Sequence, residues 1–184
     1  DYVSTESDGC TLNIIQANPN FRIFALGIGG DGITGVKVGS FQSRTTNGTQ
    51  DVNIGLNNIK ALIFSSLFNG GSNPGVGNNS MSGFVGFASE ALEQAVSAWY
   101  IKEAATANIA DSNQFSDHCI AQEGDTTSLL KAKLDAIIAG GFRLNYTLTH
   151  GSADWIHYIA ISGPRVKVSS FDSPTTDIPQ SISV

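Results

Sequence analysis

The sequence predicts an all-β protein built as an antiparallel β-sandwich, and three observations predict it. Gly, Ser, Thr and Asn together supply 68 of the 184 residues, a composition that favours strands and turns over helices faced with Glu, Lys, Arg and Ala. Phe142, Leu144, Tyr146 and Leu148 alternate with Arg143, Asn145, Thr147 and Thr149, the period-two pattern of a half-buried strand. Short apolar runs recur along the chain and are separated by Gly- and Asn-rich turn signals, the spacing expected of a sandwich.

Each element follows from these signals in order. Cys10, Leu12 and Ile14 share one strand face. Further strands are expected over residues 36–41, 50–54, 60–65, 83–88 and 118–122. The stretch 90–110 carries Leu92, Ala95, Val96 and Trp99 at helical spacing, yet Val96, Ala98 and Tyr100 alternate; its end, and the whole of 129–138, are expected to be strands. Ala139-Gly140-Gly141 turns into the strand that starts at Phe142, and His150-Gly151-Ser152 leads from it to the apolar run 155–161. That pair is expected to form a hairpin. The run from Asn69 through Asn79, with Gly70-Gly71 and Asn73-Pro74-Gly75, reads as a loop.

At 19.3 kDa the chain has room for one ordinary domain, or for one domain and a remnant. The charge of −6 and the absence of any Lys/Arg stripe exclude nucleic acid as the main partner. No apolar run approaches the roughly 18 residues that a spanning helix needs. Asp1 is followed by no basic and apolar leader, so a signal is expected to have been removed, or the chain to begin inside a longer precursor. Cys10 and Cys119 lie 109 positions apart with no CxxC neighbour, so they form either one disulfide or two buried thiols.

Self-similarity is the most informative feature. Val36-Lys37-Val38-Gly39-Ser40-Phe41 returns as Val166-Lys167-Val168-Ser169-Ser170-Phe171, and residues 36–54 match 166–184 at nine of nineteen positions without a gap. A weaker match relates Gly9-Cys10-Thr11-Leu12-Asn13 to Gly141-Phe142-Arg143-Leu144-Asn145, and residues 21–26 to 156–161. The chain therefore reads as the end of one repeat with a Gly-rich linker (1–35), one complete sandwich repeat (36–165) and the start of another (166–184). Partial units cannot bury their own apolar faces. They are expected to be completed by each other, by neighbouring subunits, or by further sequence.

Val38-Gly39-Ser40-Phe41, Gly48-Thr49-Gln50, Lys60-Ala61-Leu62-Ile63-Phe64, Gly83-Phe84-Val85-Gly86-Phe87-Ala88, Asp117-His118-Cys119-Ile120, Gly141-Phe142-Arg143-Leu144-Asn145 and Ile156-His157-Tyr158-Ile159-Ala160 occur in this order. The series resembles a β-sandwich repeat found, often in tandem, in structural proteins of tailed bacteriophages and related secreted proteins. The resemblance implies a virion component, such as a capsid decoration, tail or fibre protein, located on the virion or an extracellular surface. Its partners would be further copies of itself or other virion proteins. The last two strands are also similar to H-type lectins, small β-sandwiches that trimerise and bind N-acetylgalactosamine, which makes a carbohydrate-binding module that contacts host-surface glycan the alternative; a cell-surface filament subunit is a second one.

No reaction centre emerges from the residues. Gly27-Ile28-Gly29-Gly30-Asp31-Gly32 matches GxGxxG, but Ile33-Thr34-Gly35 runs straight on to a predicted strand, whereas a dinucleotide loop must open a helix. Asp111, Ser112, Asn113, Ser116 and Asp117 crowd oxygen atoms together without the Gly and Glu of an EF-hand, so a hydrated turn is expected. His118, His150 and His157 lack metal-ligand spacing. Nucleophile-elbow, zincin and Walker sequences are absent, and neither cofactor nor metal is expected. Trp99, Trp155 and Tyr158 are the candidate sugar or partner contacts, with packing in the core or a subunit interface as the alternative role.

Overall fold

The computed structural model describes residues 2–6, 9–12, 28, 32–69, 80–102, 109–124 and 127–163. The chain forms two units, Asp1–Gly30 and Asp31–Val184. In the first, β1 (Tyr2–Glu6) pairs antiparallel with β2 (Gly9–Leu12). The repeat segment 166–184, residues 21–26 and loop residues 70–79 lie outside the described residues.

The second unit is an antiparallel β-sandwich, and every described element is a strand. Its strands are β3 (Gly35–Gln42), β4 (Gly48–Asn53), β5 (Ile59–Asn69), β6 (Ser80–Ser89), β7 (Gln94–Lys102), β8 (Ile109–Phe115), β9 (Ile120–Glu123), β10 (Ser128–Ile138), β11 (Gly141–Leu148) and β12 (Trp155–Ser162). One sheet runs β3-β12-β5-β6-β7-β8 and the other β4-β11-β10-β9. Both are ordered largely as meanders of sequential neighbours, with the first two strands closing against the last two through the β3/β12 and β4/β11 pairs.

Two expectations are corrected here. The strands at 141–148 and 155–162 do not form a hairpin: β11 pairs with β10 and β4, whereas β12 pairs with β3 and β5 in the other sheet. The connection is a corner between sheets, fixed by Asp154 N–H donating to Ser43 Oγ at 2.9 Å and by His150 Nε2 against Asp154 Oδ2 at 2.6 Å. Alternation and a turn signal mark strands but carry no information about which sheet each joins. Residues 111–113, expected in a hydrated turn, belong to strand β8, which pairs with β7 from Phe115↔Val96 to Ile109↔Lys102.

Aromatic rings fill the space between the sheets. Phe142 of the four-stranded sheet meets Phe41, Phe64 and Tyr158 of the six-stranded sheet edge-on, with centroids 5.9, 5.5 and 5.8 Å apart, the arrangement that ring quadrupoles favour. Tyr158 fits because its partner across the ladder is Gly39, where a Cβ would stand 2.5 Å from the phenol oxygen. Phe84, Leu62, Ile120, Leu130 and Leu144 complete a core with no exposed surface.

Candidate interaction surface

The outer faces of the two sheets have opposite character. On the four-stranded sheet, Arg143 and Asp51 form a bidentate pair across β11 and β4, with Nη2 donating to Oδ2 at 2.8 Å. The Arg143 hydrogen bond holds the Asp51 carboxyl below its ordinary value, and Asp51 in turn raises the guanidinium. Lys133 and Asn145 stand opposite each other on the same face. This is an ordinary solvated sheet surface.

On the six-stranded sheet the outward positions carry no Asp, Glu, Lys or Arg. The charged residues of these strands, Lys37, Lys60, Lys102 and Asp111, all occupy the alternate positions. The ladder register places the outward residues in rows. Val38, Ile159, Ile63, Phe87 and Ala95 form one; His157, Ser65, Val85, Ser97 and Gln114 form the next. A third contains Leu67, Gly83, Trp99 and Ser112, with Trp155 two residues beyond the His157–Ser65 pair. Met81 and Ile101 continue the surface.

Parts of this face are open to solvent, while Ile63, Ser65, Phe87, Trp99 and Ile159 between them are half-buried. Val38 is 67% exposed, Leu67 64%, Trp155 57% and Val85 51%. Toward one end the rows close, since Ala61, Ser89 and Ile161 are buried. Trp99 lies flat against the sheet because position 83 is glycine: a Cβ there would sit 2.5 Å from Trp99 Cζ2. The indole thereby extends the apolar surface instead of standing off it.

The structure brings two of the three candidate aromatic contacts together. Trp99 and Trp155 share the outer face, while Tyr158 points into the core between Phe41 and Phe142, where burial raises its phenol. Cys119 is a free, fully buried thiol 3.7 Å from Ala132 O. Burial pushes it up to about 12. The side chain of Cys10 lies outside the described residues.

The groups weighed for chemistry are dispersed. His118 bridges Asp117 Oδ1 and Thr147 Oγ1, His150 holds Asp154, and His157 sits on the outer face of β12. The His118 hydrogen bond lowers Asp117. Among the described residues no three His, Cys, Asp or Glu side chains converge as a metal site. A cavity of about 190 Å³ opens between Phe68, Ser82, Tyr100, Gln122, Glu123 and Leu129. Its one carboxylate, Glu123, is buried and already accepts from Asn113 Nδ2 at 3.0 Å and Ser128 Oγ at 2.9 Å.

The antiparallel β-sandwich thus has one outer face with paired charges and one outer face without acidic, lysine or arginine side chains. No family model matches the sequence, and no curated protein matches it. Among solved structures the chain is similar to the tailspike protein of Acinetobacter phage vB_ApiP_P1, at 12% identity and a TM-score of 0.30 over 84% of this chain. It spans 25% of the length of that protein.

Proposed function

We propose that this chain is a noncatalytic structural protein of an extracellular assembly, a component of a phage particle such as a decoration, tail or fibre protein, which works by burying surface against its neighbours. The observation that carries the reading is the apolar outer face of the six-stranded sheet. Solvent-facing sheet surfaces normally alternate apolar-in with polar-out, and a contiguous exposed apolar patch marks an interaction site. Here the outward positions of the central strands carry Ile63, Leu67, Val85 and Phe87 beside Ser65 and no charged side chain, and Leu67 and Val85 are left exposed. The duplication of residues 36–54 as 166–184 supports a modular, repeating architecture.

Particles purified from the source culture on a density gradient test the role. An antibody to this chain should detect it in the particle band and label intact particles by immunogold. Its confinement to the cell fraction would overturn the reading.

A further inference from the structure

We infer that the charge-free face of the six-stranded sheet is the seat of a closed homodimer, in which a second copy of this chain packs the same face against it. This deepens, and rests on, the structural role proposed above.

Charge selects the partner. The outward positions of β3, β12, β5, β6, β7 and β8 include no acidic or basic side chain other than His157. A copy of the same face therefore meets it without like-charge repulsion and without stranding an unpaired charge in the interface. The opposite outer face, with Asp51, Arg143 and Lys133, offers no such match: docking there would desolvate those charges. Self-association thus joins like face to like face, an isologous contact that closes at two copies.

Area and shape agree. Three rows about 6.8 Å apart across five to six strands about 4.8 Å apart give roughly 500–600 Å² per copy, hence about 1,000–1,200 Å² in a pair, the lower end of specific interfaces. Protruding Val85 stands between Ser65 and Ser97 in its row, so knobs on one copy have hollows to enter on the other. Two facing sheets then pack at about 10 Å, as the two sheets within the sandwich do.

Sedimentation equilibrium of the full chain across micromolar concentrations is the test. The wild-type protein should sediment at about twice 19.3 kDa. Val85→Lys and Leu67→Asp, both at exposed positions, should keep the wild-type circular dichroism spectrum and weaken the dimer at least tenfold, whereas Arg143→Gln on the opposite face should leave the mass unchanged. A wild-type monomer throughout, or a dimer indifferent to both face variants, would overturn the inference. So would loss of fold in the face variants without any dimer in the wild type, which would mean that another segment of the same chain covers the face. The outcomes separate from the particle test: a dimer broken by Val85→Lys in a protein absent from particles leaves the interface standing and removes the virion role.

Discussion

Phe142 shows how much one residue carries. It has no exposed surface, meets three rings of the opposite sheet and anchors the strand pair with β4 through Val52. Phe142→Ala should cost about 3–5 kcal/mol, from lost transfer energy plus the cavity left behind, read as a lower urea midpoint. Its inward side was legible in the sequence because Arg143 and Asn145 flank an alternating run. Cys119 makes a second residue-level prediction. Fully buried and raised to about 12, it should resist alkylation at pH 8 in the folded protein and react once the protein is unfolded in denaturant, as peptide mapping would show. At Asp51 the folded-state value lies below the ordinary 3.8, so its contribution to stability is complete above that value and is lost as pH falls through the lowered one. The melting-temperature difference between wild type and Asp51→Asn should therefore shrink to nothing on acidification. Because the pair is exposed, the effect is expected to be small.

At the level of elements, the β10–β11 hairpin depends on two adjacent glycines for different reasons. Gly140 has φ +75°, a left-handed conformation, whereas a Cβ on Gly141 would lie 2.0 Å from Val52 O. Gly140→Ala should cost about 1 kcal/mol through backbone strain. Gly141→Ala should cost more, because it pushes β4 off β11; thermal melts of the two variants would rank them. The turn itself could be read from Ala139-Gly140-Gly141 in the sequence. Strand β8 could not: Asp111, Ser112 and Asn113 look like a solvated turn, and they form a strand because β7 supplies a ladder of partners from Val96 to Lys102. The assignment of β11 and β12 to different sheets was hidden for a related reason. Periodicity reports which side of a strand is apolar, while sheet membership depends on neighbours distant in the chain. Runs such as Ala61-Leu62-Ile63-Phe64 also conceal the outer face, since two apolar sides read as burial on both.

For the whole molecule, the contrast between outer faces is the feature on which the proposed role rests. One side of the sandwich meets water with paired charges, and the other presents Val38, Leu67, Val85 and Trp155. Composition alone announced an all-β chain, but only the register of six strands shows that Val38, Leu67, Val85 and both tryptophans share one charge-free face. Both tryptophans of the chain, Trp99 and Trp155, lie on that face, so fluorescence excited selectively at tryptophan, beyond the absorption of the four tyrosines, reports on it alone. Acrylamide quenching measured against protein concentration is the most direct measurement. Accessibility should fall as the concentration rises through the micromolar range and stay high in Val85→Lys. Tryptophans quenched equally at every concentration, or protected equally in the variant, would contradict the account.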